Sequence, residues 1–268
     1  MAYIKMELLY FIGNIIKKNF FLQIFIVRLL LFINRLYFII PHEKDYLGLK
    51  HIKLDDEKII LDIGANNGLS SLSFFGFGFK GNIIAFEPNP FHEKDLKKIK
   101  RKFPNFSYYI LGASDKESES KLFVPKYKNI PVTPLGSSNK KYLEYSLTRD
   151  FPRIYKQFKI HEVKINLKPL DDFNFAPTFI KIDTEGNDFK VIKGLEKTII
   201  EHRPIILVEY TPNYFNEIFE FLVNLKYMFF LYKDKRFIKI NNEKDLNNIY
   251  FEKNLQTNIY CSPYDLIT

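Results

Sequence analysis

A chain of 268 residues with 46% hydrophobic side chains has room for one large domain plus an appendage, and enough apolar mass for a core. Its single cysteine, Cys261, excludes an internal disulfide and argues against a thiolate metal site, and the five histidines (42, 51, 92, 161 and 202) show no H-x-x-H or H-x-x-x-H spacing. A net charge of +9 suggests either anionic company or a lysine-rich solvated surface, but no recognisable nucleic-acid module accompanies it, so no nucleic-acid partner is expected.

Residues 1–46 differ from the rest. Residues 8–13 and 20–32 are strongly apolar, with Lys17, Lys18, Arg28 and Arg35 interspersed. There is no uninterrupted run with a small-residue cleavage site, so a secretory signal is not predicted. Arg28 sits inside the only run that approaches membrane-spanning length. Lys17, Arg28 and Arg35 are spaced near whole helical turns, so one helix carries them on a single face. Three readings stay open: an interfacial helix on an anionic membrane, a helix packed on the domain or on a dimer partner, and a true span. Residues 47–268 are predicted to form the main domain, in a cytoplasmic protein that is soluble or peripheral on the inner face of the membrane.

Pro41 closes the first segment, and a polar stretch leads to the run Ile59-Ile60-Leu61. Asp62 follows, then Gly64-Ala65-Asn66-Asn67-Gly68, then Leu69-Ser70-Ser71 opening a helix. A buried parallel strand, a glycine-containing turn and a helix N-terminus in that order let a ligand meet backbone N–H groups. The turn departs from a dinucleotide fingerprint, because Asn66 and Leu69 hold the second and third glycine places. The second glycine is the one that lets backbone approach a pyrophosphate, so NAD and FAD are disfavoured and a nucleoside without phosphates fits better. The next strand, residues 82–86, ends in Glu87-Pro88. That is about twenty residues after Gly68, the distance at which an acidic side chain reaches ribose hydroxyls.

A charged helix is predicted over residues 90–101 and a third strand over 106–112, followed by the turn Ala113-Ser114-Asp115. Residues 121–125 read as an edge strand. Residues 126–161 read as a long basic insertion, with Lys140, Lys141, Arg149, Arg153 and Lys156 placed to meet a phosphate or carboxylate. This insertion is either an acceptor-binding lid or a surface excursion. Residues 161–172 alternate as a strand, and Asp171 or Asp172 is placed to cap a short helix. The run 179–182 delivers Asp183-Thr184-Glu185-Gly186, a helix spans 188–200, and the run 205–208 delivers Glu209. A helix to Leu225 then precedes strands at 227–232 and 237–240, joined by a turn at Lys233-Asp234-Lys235, and a last apolar stretch around Ile259-Tyr260-Cys261. The alternation predicts a doubly wound, mostly parallel α/β sheet of Rossmann-like type. Asp62, Glu87, Asp183 and Glu209 all fall at carboxyl ends of its strands, where such sheets bind ligands.

The blocks LDIGANNG, AFEPNP, LGASDKES, PLDDF, FIKIDTEGNDFKVIKGLE and RPIILVEY, which together span residues 61–210, resemble the FkbM family of S-adenosylmethionine-dependent methyltransferases. The resemblance implies a class I methyltransferase sheet finished by a C-terminal antiparallel hairpin, beside the N-terminal helical appendage. It implies S-adenosylmethionine as cofactor, with Gly64, Gly68, Asp62 and Asn66 around its methionine part, Glu87 on the ribose, and Ser114 or Asp115 beside adenine. It also implies O-methylation of a sugar or another hydroxylated compound. A hydroxyl is far from ionised at neutral pH, so a base is called for, and Asp183 and Glu185 are the candidates, with Glu209 behind them. Alternatively Asp183 and Glu185 hold a divalent cation such as Mg2+ that lowers the hydroxyl pKa. The acceptor expected is a surface or lipid-linked saccharide. The rival readings are a methyltransferase for a nucleic acid or a small molecule, and a non-catalytic nucleoside-binding partner subunit. The oligomeric state is left open by the sequence.

Overall fold

Short runs of Ile, Leu, Val and Phe, bounded by glycine, proline or charge, become the core strands in the computed structural model, which describes residues 44–52, 58–210, 215–242, 245 and 258–267. The first three strands are β1 (Ile59–Ile63), β2 (Asn82–Phe86) and β3 (Phe106–Tyr109), with helices α1 (Leu69–Gly76) and α2 (Glu93–Lys102) between them. Four strands of a second sheet follow: β4 (Gly112–Ala113), β5 (Ser118–Tyr127), β6 (Ile130–Pro131) and, after helix α3 (Lys140–Asp150), β7 (Phe158–Lys168). The chain then re-enters the first sheet through β8 (Pro177–Ile182), helices α4 (Asp188–Lys193) and α5 (Glu196–His202), β9 (Ile205–Glu209), helix α6 (Phe215–Asn224), β10 (Met228–Lys233), β11 (Arg236–Ile240) and β12 (Asn258–Ser262).

The eight-stranded sheet has the order β3-β2-β1-β8-β9-β12-β10-β11. Strands β3, β2, β1, β8 and β9 are mutually parallel, and β12, β10 and β11 continue the sheet with antiparallel neighbours. The doubly wound, mostly parallel α/β sheet predicted from the sequence is therefore observed. The hairpin is present too: Asp234 and Lys235 both take positive φ (50° and 64°), as a two-residue hairpin turn requires. One difference is that β12 wedges between β9 and the hairpin. All five of its residues, Asn258–Ser262, are buried.

Three further expectations are corrected. The strand expected over 106–112 is divided, because β3 stays in the large sheet while β4 begins the second one. The segment 126–161 is not a loop. β5 runs on to Tyr127 and pairs with β7 over ten residues, with α3 between them, so two long amphipathic strands support each other. The single helix expected over 188–200 is two. In a continuous helix the Gly194 carbonyl would accept from the Thr198 N–H. Instead that carbonyl accepts from the Asp171 N–H (3.0 Å), and the Thr198 N–H and hydroxyl both donate to Asp171 Oδ1 (2.9 and 2.7 Å). Asp171 Oδ2 also accepts from the Lys197 N–H at 2.9 Å, so a side chain distant in sequence caps α5. Gly194 is required at the break, since a Cβ there would lie 2.0 Å from the Ser114 carbonyl oxygen.

Among the described residues no helix is long and apolar enough to cross a membrane. The apolar, basic segment 1–46 lies outside the described residues up to position 43. The cap gives a direct check: Asp171→Ala should cost about 1–2 kcal/mol in urea unfolding, whereas Asp172→Ala, exposed and outside the cap, should stay within about 0.5 kcal/mol.

Candidate functional site

The chain moves outward from β1 to β3 and returns beside β1 as β8, so the strand order reverses between β1 and β8. Ligands of open α/β sheets bind outside the carboxyl ends of strands at such a reversal. In sheet order, the ends that meet there carry Glu87 after β2, Asp62 within β1, Asp183 after β8 and Glu209 closing β9.

The turn after β1 is shaped by three residues at positive φ: Gly64 (75°), Asn66 (50°) and Gly68 (82°). Both glycines serve protein packing on the side of their missing Cβ. A Cβ at Gly64 would stand 1.8 Å from the Asp183 carbonyl oxygen, and one at Gly68 would stand 2.2 Å from Ile99 Cδ1 of α2. The N–H groups of Gly64 and Ala65 donate to the Phe86 carbonyl at 2.9 and 3.1 Å. The Asn66 N–H donates to Glu87 Oε2 and the Asn89 N–H to Glu87 Oε1, each at 2.8 Å. Each Glu87 oxygen keeps an unused acceptor direction, which suits a pair of ribose hydroxyls. Glu87 is buried, and desolvation pushes its carboxyl up to about 7 despite these two N–H donors and the Lys181 charge.

Asp62 is fully buried inside β1. The hydroxyls of Ser70 and Ser71, in the first turn of α1, donate to its Oδ2 at 2.6 and 2.5 Å. Its Oδ1 has no hydrogen-bond partner and lies 3.6 Å from Lys181 Nζ. An acceptor oxygen buried without a donor leaves a place for a donor from a ligand. Together with the free acceptor directions on Glu87, it makes the residues fit a nucleoside cofactor that also carries an amino group.

The second turn is acidic and internally braced. Asp188 Oδ1 accepts from both the N–H (2.8 Å) and the hydroxyl (2.7 Å) of Thr184. Burial raises the Asp188 carboxyl, against the pull of those two donors. Glu185 holds a left-handed conformation (φ 53°) that is unfavourable for a side-chain-bearing residue. Partial desolvation, then repulsion from Asp183 and Asp188, raises its carboxyl, although the side chain still reaches solvent and the repulsion is screened there. Asp183 is partly exposed, with Oδ2 at 3.3 Å from Lys181 Nζ, and its N–H donates to the Ile63 carbonyl at 3.1 Å. The structure thus brings together Asp62, Gly64, Asn66, Glu87, Asp183 and Glu185. Glu209 stands one strand further out, in register with Asn258 of β12.

Ser114 and Asp115 lie past β4, where the Ser114 hydroxyl donates to Asp115 Oδ1 at 3.1 Å. The side-chain amide of Asn187 donates to the Ala113 carbonyl at 2.9 Å and so ties that turn to the acidic one. From the insertion, Lys126 and His161 meet Phe91, four residues past Glu87: the Lys126 ammonium lies 5.1 Å over its ring, and the His161 ring lies 6.0 Å from it. The basic residues read from the sequence are placed elsewhere in the insertion. Lys140 and Arg149 belong to α3, where Lys140 faces Glu144 at 4.0 Å and Arg149 pairs with Asp150 at 2.7 Å.

Among the described residues no three His, Cys, Asp or Glu side chains converge as a metal site, so the Mg2+ reading of Asp183 and Glu185 gains no support. Cationic charge reaches Asp183 from Lys181 instead. Sequence reasoning passed over Lys181 and Asp188. The available signal for Lys181 was a lysine inside an otherwise apolar core strand, a residue almost never buried unless paired.

A parallel sheet with reversed strand order, a glycine turn after β1, an acidic end to β2 and an antiparallel β12-β10-β11 edge is the sheet of the class I methyltransferase fold. The chain belongs to the methyltransferase FkbM domain family, which it matches over residues 62–229. Its fold is similar to that of the methyltransferase FkbM from Methylobacillus flagellatus, at 16% identity and a TM-score of 0.52, over 82% of this chain and 48% of that one. This chain therefore spans about half the length of that protein. Lower similarity links it to a precorrin-6y C5,15-methyltransferase from Geobacter metallireducens (16% identity, TM-score 0.42, 81% and 86% of the two chains). A SAM-dependent O-methyltransferase from Thermotoga maritima is also similar (10% identity, TM-score 0.42, 84% and 67%). No curated protein matches the chain.

The raised carboxyl of Glu87 makes a prediction about stability. Its ordinary value of 4.5 rises to about 7 on folding, so its protonated form is favoured in the native state. That contribution is complete below pH 4.5 and is lost as pH rises through about 7. Glu87→Gln, which mimics the protonated form, should therefore exceed the wild type by up to about 3 kcal/mol at pH 8. The gap in thermal or urea unfolding should close below pH 4.5.

Proposed function

We propose that this chain transfers the methyl group of S-adenosylmethionine to a hydroxyl of a saccharide acceptor. The observation that carries the reading is the contact between the two turns. The carboxylate of Asp183, partly open to solvent, is held 3.3 Å from an ammonium that also meets the Ile63 and Gly64 carbonyls and Asp62 on the cofactor side. A base on the acceptor side is thereby fixed to the cofactor side, which is what an in-line displacement needs. When bound, the cofactor supplies an electrophilic sulfonium methyl. Glu87 would accept from the ribose hydroxyls, and Asp62 Oδ1 from the amino group. Lys181 engages Asp183 Oδ2, which leaves Oδ1 to take the proton of the acceptor hydroxyl as its oxygen bonds to the methyl carbon, the carbon–sulfur bond breaks and the thioether leaves. Glu185 sits at the mouth as the second carboxylate, and the Mg2+ alternative is not needed for this assignment.

Family membership and the Phe91 platform support the choice of a saccharide. Phe91, with the Lys126 ammonium over its ring and the His161 ring beside it, offers an apolar surface next to cationic and imidazole groups near the Glu87 turn. The strand pair β5–β7 that presents Lys126 and His161 then acts as the acceptor-side wall. A lipid-linked or surface glycan and a peripheral position on the inner face of the membrane rest on the apolar, basic composition of residues 1–46.

Calorimetric titration with S-adenosylhomocysteine should give binding that NAD does not, and Glu87→Ala should abolish it. With S-adenosylmethionine carrying a labelled methyl and a pool of extracted lipid-linked and polymeric saccharides, mass spectrometry should find label on a saccharide oxygen. Asp183→Asn should lower that transfer by about a hundredfold or more while S-adenosylhomocysteine affinity stays within about threefold. Full transfer by this variant would remove Asp183 from the mechanism.

A further inference from the structure

Burying an ammonium costs hydration that only close partners restore. The side chain of Lys181 is 3% exposed, and its Nζ lies 2.7 Å from the Gly64 carbonyl oxygen and 3.4 Å from that of Ile63. On its other sides stand Asp183 Oδ2 at 3.3 Å and Asp62 Oδ1 at 3.6 Å. The charge is also felt at Glu87, Glu185 and Asp188. One cation therefore stands among five carboxylates, drawn from the cofactor turn, the neighbouring strand ends and the acidic turn.

A pocket of that composition responds to the charge of what enters it. The cofactor inferred above brings a sulfonium cation, and the product left after transfer is a neutral thioether. We propose that Lys181 is a positioning residue that locks the Gly64 turn to Asp183 and, through its charge, sets how strongly the pocket prefers the sulfonium to the thioether. The proposal rests on the cofactor reading. The lock acts on both ligands alike, because both share the ribose and the amino acid part. The charge acts on one of them, because only the sulfur differs in charge. The two effects are separable by taking the ratio of the two affinities.

The test is calorimetry with S-adenosylmethionine and S-adenosylhomocysteine, at one pH of about 8.5, on the wild type and on Lys181→Met, Lys181→Gln, Lys181→Arg and Asp183→Asn. Losing one cation should move the affinity ratio toward S-adenosylmethionine by roughly five- to tenfold in Lys181→Met and Lys181→Gln. Lys181→Arg, which keeps the charge, should hold the ratio within about twofold. Asp183→Asn, which removes an anion, should move it by a similar factor in the opposite direction. An affinity loss common to both ligands in Lys181→Met and partly regained in Lys181→Gln, whose amide can still donate to the Gly64 carbonyl, reports the lock.

A ratio that stays unchanged in Lys181→Gln and in Asp183→Asn overturns the proposal and leaves Lys181 a structural tie. If the neutral Lys181 variants do not fold, the sign of the shift in Asp183→Asn decides, because that partly exposed substitution keeps the side-chain shape and an amide oxygen that can still accept from the Lys181 ammonium. Failure of the wild type to bind either ligand would instead overturn the cofactor reading, and this proposal with it.

Discussion

Everything at the crevice depends on the register of β1 against β8. That pairing sets Asp62 beside Lys181 and Ile63 beside Ile182, and it carries the Asp183 N–H onto the Ile63 carbonyl. Side chains alternate along a strand, so a slip of one residue would turn Lys181 from its carboxylates into the apolar layer formed by Ile180, Ile182, Val191 and Leu195. The ion pair and the hydrophobic layer therefore enforce the same register from opposite faces of the sheet. Gly64 completes the arrangement by letting the Asp183 carbonyl approach where any side chain would collide.

The core strands were legible because each is a short apolar run ended by a residue that cannot continue it. Glu87 was legible from its distance beyond the glycine turn. What escaped reading depends on contacts between residues distant in sequence. The break at Gly194 needs the Asp171 N–H and carboxylate to arrive from 23 residues away, and neither helix propensity nor periodicity carries that information. Lys181 lies inside the apolar run 179–182, and only the sheet pairing reveals that its neighbours are acids. The basic insertion was read as a loop because lysine and tyrosine dominate its composition. Its strands are amphipathic, and composition averages over the two faces.

That amphipathy divides the second sheet into two faces. Along β5 and β7 the face bearing Leu122, Val124, Val163 and Ile165 is the apolar one, and Val124 and Ile165 are buried. The same face continues to Lys126 and His161, which meet Phe91. The opposite face is polar over Glu119, Lys121, Glu162 and Lys164. A ribbon that is apolar where it is anchored and cationic where it reaches the Glu87 turn brings a different chemistry to the crevice from that of the acidic strand ends. The acidic strand ends and the cationic ribbon thus come from different sheets, so one can vary in composition without disturbing the other.

The position of β12 has a consequence for biosynthesis. β9 and β10 are made before it, yet neither pairs with the other, because β12 occupies the place between them. Until residues 258–262 emerge from the ribosome, β9 presents an open edge and the β10–β11 hairpin has nothing to join. Closure must therefore follow synthesis of the strand that comes last in the chain. The strands bearing Asp62, Glu87 and Asp183 take their parallel partners from earlier parts of the chain. The nascent chain holds a nearly complete pocket on a sheet that is still unfinished and prone to pairing with other chains, a state in which a chaperone would be of use.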